Sequence, residues 1–170
     1  MDKPIISTFM LIVGIIIATL VFNVVYPAVV RSGDALVNIK NRIDDRMRTK
    51  IAIVHATGEL DSSGTWQDIN GDGDFDVYVW VKNVGALRIA PLERLDVFFG
   101  PEGNFVRIPH TNEAGGTYPY WTSTIENDTA WNPSATLKIT IHYSTVLSSG
   151  RYFIKITTPN GITDRYYFGM

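Results

Sequence analysis

From Pro4 to Val30 the chain runs for 27 residues without a charged side chain. Tyr26 apart, its polar side chains are Ser7, Thr8, Thr19 and Asn23. As a helix rising 1.5 Å per residue, this stretch reaches about 40 Å, beyond the ~30 Å of a bilayer's hydrocarbon core. A secretory signal is a poor match, because its apolar region covers about 7–15 residues and ends in small ones. A helix apolar on every side needs apolar surroundings on every side, and the rest of the chain is too small to supply them. The segment therefore belongs in a bilayer or among copies of itself. Ile and Val dominate it, which is weak for a helix in water but no obstacle where backbone bonds must close internally. Pro4 suits the first helical turn. If the helix continues past Pro27, that residue releases the carbonyl of Asn23 and bends the rod. Gly14 leaves a notch where another helix could approach closely.

After Val30 the helical period holds while the composition changes. Leu36, Ile39, Ile43 and Met47 form one stripe, which Ile51 extends, and Arg31, Asp34, Lys40, Arg42, Asp44, Asp45, Arg46, Arg48 and Lys50 fill much of the other face. Ser32 is a candidate local N-cap and Gly33 a candidate kink. The expectation is one rod over residues 1–50, wholly apolar at first and then amphipathic. Its charges raise a conflict of orientation. Lys3 stands alone before the apolar run and six basic residues follow it, which by the positive-inside rule keeps the C-terminal part in the cytoplasm. The composition of that part suggests export instead.

Residues 51–170 carry 8 basic and 13 acidic groups, and the period shifts from 3.6 to 2. Phe75, Val77, Val79 and Val81 alternate with Asp76, Tyr78, Trp80 and Lys82. Leu137, Ile139, Ile141 and Tyr143 alternate with Thr136, Lys138, Thr140 and His142, and Tyr152, Ile154 and Ile156 with Phe153, Lys155 and Thr157. Short runs at Leu95–Phe99, Asn104–Ile108, Tyr120–Ile125 and Ile162–Phe168 are separated by Gly, Pro, Asn and Asp clusters. Seven or eight short strands with no helical pattern between them indicate a β-sandwich. The fold class is thus α+β: a long N-terminal hydrophobic α-helix followed by an Ig-like antiparallel β-sandwich over residues 51–170. Tyr78 and Trp80 face away from the Phe75–Val81 core side, and packing across neighbouring strands is the simpler account of them. The Gly115–Tyr120 loop, flexible and then aromatic, is a candidate contact patch.

With no Cys, disulfides, thiolate metal sites and thiol nucleophiles are excluded. A net charge of -2 argues against nucleic acid as a partner. The chain has no nucleophile elbow, P-loop or dinucleotide fingerprint, and nothing points to an enzyme. The most specific local signal is Asp68-Ile-Asn70-Gly-Asp72-Gly73-Asp74-Phe-Asp76. Oxygens on Asp68, Asn70, Asp72, Asp74 and Asp76, with a Gly for the sharp turn, resemble the first nine positions of a calcium loop. The twelfth position is Val79 and no helices flank it, so an EF-hand is excluded. A structural Ca²⁺ and a plain tight turn built on Asn70-Gly71 and Asp72-Gly73 are the two readings, and no other cofactor is indicated. His55, His110 and His142 show no metal-binding spacing and read as structural. Asp44-Asp45 reads as a partner of Lys40 and Arg48 on the helix face. Asn127-Asp128-Thr129 is a single N-glycosylation sequon, with Asn127 the candidate acceptor.

Three stretches together resemble the archaellins, or archaeal flagellins, and minor relatives such as the G-type archaellum protein, which share a type IV pilin-like N-terminal helix. They are the apolar rod ending Asn23-Val-Val-Tyr26-Pro27-Ala28, the Asp34–Lys50 helix running into Ile51-Ala-Ile-Val-His55-Ala, and Val79-Trp80-Val81-Lys82-Asn83-Val84-Gly85 followed by Leu95-Asp-Val-Phe-Phe99. The resemblance implies a homopolymer: apolar helices bundled at the core of an extracellular swimming filament, sandwiches outside. A membrane-inserted precursor would be added at the base by a platform protein and a cytoplasmic ATPase. Ile5, Phe9, Ile12, Ile16, Leu20, Val24 and Pro27 are then the candidate assembly positions. In such a polymer the basic residues after Val30 would face acidic neighbours, which eases the conflict of orientation. The alternative is a minor membrane-anchored archaellum component, a stator or envelope-binding protein, or a pilin-type adhesin. Family precursors carry a basic leader cut by a prepilin peptidase. Only Met1-Asp2-Lys3 precede Pro4, so the expectation is a mature numbering or a vestigial leader.

Overall fold

The computed structural model describes residues 2–170, which divide after Asp44 into two compact units. The first unit is helical. Helix α1 spans Asp2–Arg48 without a break at Pro27, as the continuous period predicts. Three polar side chains of its apolar part are closed on its own backbone. Ser7 and Thr8 donate to the carbonyl of Pro4 at 3.0 and 2.8 Å, and Thr19 donates to that of Ile15 at 2.7 Å. Such back-bonding removes the need for water and lets the segment enter an apolar phase.

The helix stops sooner than the stripe suggests. Thr49 closes the last turn on the Asp45 carbonyl through its N–H (3.0 Å) and its hydroxyl (2.7 Å). Ile51 therefore does not extend the stripe. It opens strand β1 (Ile51–Gly58) and is buried in the sandwich core. The spacing of four from Met47 is coincidental with the change of element.

The second unit adds β2 (Phe75–Asn83), β3 (Asp96–Pro101), β4 (Val106–Ile108), β5 (Tyr120–Ile125), β6 (Thr136–Tyr143), β7 (Arg151–Thr157) and β8 (Thr163–Gly169). The strands form two four-stranded sheets, ordered β1-β2-β6-β5 and β4-β3-β7-β8, with every ladder antiparallel. This is the expected sandwich. Two short helical turns interrupt it, a 3-10 turn at Leu92–Arg94 and α2 (Thr111–Ala114). Both are too short to leave a period in the sequence. Alternation explains the core: Val77, Val79 and Val81 of β2 face Leu137, Ile139 and Ile141 of β6 in register, all fully buried, and Val97, Phe99, Ile154 and Ile156 fill the facing sheet. Each such side chain contributes about 1.5–3 kcal/mol on burial. β1 departs from alternation because a bulge between Ile53 and His55 leaves Val54 and His55 both exposed. Asp164 of β8 accepts from the Ile53 N–H at 2.7 Å, which ties the two sheets together at that point.

The last helical turn belongs to the sandwich unit, and main-chain bonds hold it there. The N–H groups of Val84 and Ala86 donate to the carbonyls of Lys50 and Arg48 at 2.9 and 2.7 Å. Gly85, between them, sits so close that a Cβ would fall 2.5 Å from the Lys50 nitrogen. Asn83 organises the approach. It is fully buried, donates from Nδ2 to the carbonyls of Leu87 (2.8 Å) and Trp131 (3.0 Å), and accepts from the Gly85 N–H at 3.0 Å. Asn160 adds a bond to the Thr49 hydroxyl at 2.7 Å, and its carbonyl accepts from Arg46 at 2.8 Å. Replacing Asn83 with Ala takes the side-chain partner from the Leu87 carbonyl and the Gly85 N–H, and leaves the Trp131 carbonyl with the Ile89 N–H alone, at about 1–3 kcal/mol for each group left unpaired. Thermal unfolding of the full chain in detergent, followed by circular dichroism, is expected to show a clear fall in Tm for Asn83→Ala. The exposed neighbour Lys82→Ala should show almost none.

Candidate functional site

Two features are candidates for function: the apolar surface of α1 and an acidic cluster at one end of the β1-β2-β6-β5 sheet. Ile5, Phe9, Ile12, Ile16, Leu20, Val24 and Pro27 all lie in α1 and are exposed in the isolated chain. The span from Lys3 is long and apolar enough to cross a membrane, and none of its most apolar window is buried.

The acidic cluster is built by the connection between β1 and β2. Glu59 is its anchor. It is 4% exposed; its Oε1 accepts from the N–H groups of Ile69 (3.0 Å) and Asn70 (3.1 Å), and its Oε2 accepts from the N–H of Asp76 (3.4 Å). The motif residues then separate into two groups. Asp68 accepts from the N–H groups of Gly71 and Gly73 at 2.6 and 2.9 Å, Asn70 Oδ1 from Asp72 N–H at 2.9 Å, and Asp72 Oδ1 from Asp74 N–H at 3.0 Å. These three shape the turn. Asp74 and Asp76 instead meet His142, which stands directly across the ladder from Asp76. His142 Nδ1 lies 2.8 Å from Asp76 Oδ1 and 3.3 Å from Asp74 Oδ2. Asp76 is 2% exposed, although it lies on the side of β2 opposite the core valines.

His142 was not anticipated from spacing, since 66 positions separate it from Asp76 and only the pairing of β2 with β6 joins them. Its ring stacks on Tyr120, and its Nε2 lies 2.9 Å from the Thr122 hydroxyl. Burial works against protonating His142, but the Asp76 carboxylate beside it, with Asp74 and Asp72 further off, outweighs that and raises its pKa. Burial, then the charges of Asp76 and Glu59, push Tyr78 up to about 12. The aromatic loop before β5 turns inward here, with the Tyr118 hydroxyl donating to Asp74. The other histidines have structural roles: His110 caps α2 and packs edge-on against Trp121, and His55 stacks on Trp80. Tyr78 and Trp80 pack against each other, with Lys138 over both rings. Asn127 is exposed in the turn before β6, its Oδ1 accepting from Thr136 N–H at 3.3 Å.

The family model described as archaeal-type flagellin matches residues 6–168, helix and sandwich together. The chain belongs to the archaeal-type flagellin family. Two solved structures sharpen the likeness. One is the archaellum periplasmic stator protein FlaG from Sulfolobus acidocaldarius, 32% identical, with a TM-score of 0.55 over 71% of this chain and 99% of that one. The other is the archaellum periplasmic stator protein complex of FlaF and FlaG from the same organism, 31% identical, with a TM-score of 0.54 over 71% of this chain and 89% of that one. No curated protein matches. A flagellin and a stator are structural components rather than enzymes, and archaellum proteins are associated with the cell surface or its membrane, in keeping with the exposed apolar length of α1.

Within this archaellum-type sandwich, Glu59 holds the acidic loop in place. Glu59→Gln keeps the oxygen that serves Ile69 and Asn70 but turns an amide NH₂ towards the Asp76 N–H. The expected cost is about 1–3 kcal/mol, read as a lower Tm together with faster proteolytic cleavage between residues 61 and 74.

Proposed function

We propose that this chain is a membrane-anchored, stator-type component of an archaellum, and so takes part in swimming motility without catalysing a reaction. The observation that carries the reading is its 32% identity to FlaG, a protein described as a periplasmic stator, across nearly the whole of that structure. In this reading the apolar part of α1 anchors the chain in the membrane and the sandwich works outside it. An FlaF-like protein is the first partner to test, because FlaG is found with FlaF in the second structure. The exposed sequon at Asn127 suits a domain on the outer side. Arg46 bears on the conflict over positive charge: it serves a contact inside the sandwich unit, which supports reading some of the basic residues after Val30 as structural.

The family match supports a second reading, since it includes nearly all of the apolar helix. There the chain is a filament subunit, Ile5–Val30 lines a helical bundle, and a platform protein and ATPase deliver subunits that a prepilin peptidase has processed. Copy number and location separate the two. Shearing host cells and quantifying this chain by mass spectrometry should find it in membranes, at far lower abundance than the main filament protein. Finding it as the dominant protein of the sheared filaments would replace the stator by the filament subunit. Ile16→Asp, at about 2.5–3.5 kcal/mol for a charge at the centre of a span, is expected to deplete the membrane fraction and stop swimming while filaments still form. Loss of the filaments themselves would favour the second reading.

A further inference from the structure

We propose that Asp74, Asp76 and His142 form a binding site for a divalent cation of the zinc type, where β2 meets β6 beneath the acidic loop. One ligand atom from each of these side chains lies within 4.8 Å of the others. The arrangement is more specific than a gathering of carboxylates, because each side chain has one atom engaged by a hydroxyl and another aimed at the shared point. Asp74 Oδ1 receives the Tyr118 hydroxyl, leaving Oδ2 facing inward. Asp76 Oδ2 receives the Tyr78 hydroxyl at 3.2 Å, leaving Oδ1. His142 Nε2 meets the Thr122 hydroxyl at 2.9 Å, leaving Nδ1. Outer hydrogen bonds of this kind are what orient metal ligands and fix a histidine's tautomer.

The inward atoms supply the second observation. Asp76 Oδ1 and His142 Nδ1 are buried and make no hydrogen bond, although Asp76 is only 2% exposed. They stand 2.8 Å apart, the separation of an ion pair when the ring is protonated. Across so short a gap a buried carboxylate oxygen and a ring nitrogen need a positive charge between them, supplied by a proton on Nδ1 or by a metal ion. With Nε2 protonated towards Thr122, Nδ1 is a third acceptor, and a cation satisfies all three together. The spacing suits a small ion. Two ligands at about 2.0–2.1 Å from a tetrahedral zinc lie roughly 3.3–3.4 Å apart. The separation of Nδ1 from Asp74 Oδ2 is already 3.3 Å, and that from Asp76 needs to open by about half an ångström. Asp74 and His142 side chains are each 13% exposed, which leaves a route for entry and for a water in the fourth position.

The donor set also selects the metal. A ring nitrogen with two carboxylate oxygens suits zinc and its neighbours, whereas Ca²⁺ takes six to eight oxygens. The oxygens that would complete a calcium shell are engaged elsewhere, both oxygens of Asp68 and one each of Asn70 and Asp72 accepting main-chain N–H groups. A bound ion would fasten the start of β2, the end of β6 and, through Tyr118, the loop before β5.

The test is titration of the chelator-stripped full chain in detergent with Zn²⁺ and, separately, with Ca²⁺, by calorimetry and thermal unfolding. The expected result is one Zn²⁺ per chain with a raised Tm. Asp76→Asn and His142→Gln should each lower affinity at least about tenfold, and Tyr118→Phe, which removes only an outer hydrogen bond, by about 10–100-fold. Asp68→Asn should bind as the parent does. Circular dichroism of each variant checks that it folds, and Tyr118→Phe remains informative if Asp76→Asn does not. The proposal is overturned if the parent takes up no Zn²⁺, which would leave a proton on His142 as the charge between the carboxylates. It is overturned too if His142→Gln and Tyr118→Phe bind as the parent does, or if Ca²⁺ alone binds and Asp68→Asn abolishes it.

Discussion

The apolar surface of α1 is exposed from Ile5 to Val30, and much else follows from that. The sandwich closes its own core with its own strands. A lipid phase or other helices must complete the molecule. The hydroxyls of Ser7, Thr8 and Thr19 are already turned back onto the helix, so the segment enters such surroundings without an unpaired side-chain donor at those positions. A sandwich with a complete core of its own is free to work as a separate domain, which suits a periplasmic component as well as the shell of a polymer.

Most of the fold was legible because its two periods are clean. The uninterrupted apolar run fixed the helix, and the alternation in β2, β6 and β7 fixed the strands that carry the core. Legibility failed where a local feature broke a period. The bulge at Val54 and His55 puts two successive side chains outside and hides β1. α2 is a single turn whose cap, His110, is as common in loops. Ile51 sits at a helical spacing from Met47, yet Thr49 has already closed the helix on Asp45. At that boundary hydrogen bonding decided the element, and hydrophobic spacing could not reveal it.

The acidic site was half legible. The sequence marked Asp68–Asp76 as unusual, and the structure separates that run by role, three residues forming a turn and two facing the sheet. Burial of Asp76 could not be read from alternation, which puts it on the side of β2 opposite the core valines. Glu59 carries no motif in the sequence, yet it receives three main-chain N–H groups. His142, Tyr118 and Thr122 arrive from other strands and loops. Information of that kind lies in the register of β2 against β6 and of β6 against β5, which no local pattern records.

The seam between Arg48–Lys50 and Val84–Ala86 is made by main-chain groups, with Asn83 holding the approach and Gly85 keeping it open. Its main-chain bonds do not depend on which side chains stand upstream of Arg46, whose guanidinium donates to the Asn160 carbonyl. The apolar helix can therefore diverge, lengthen or be exchanged for another without a matching change in the sandwich. Relatives with quite different lives, in a membrane or in a polymer, can arise by altering one segment. Chimaeras cut just ahead of Arg46 offer a direct way to transplant one anchor onto another sandwich of the family.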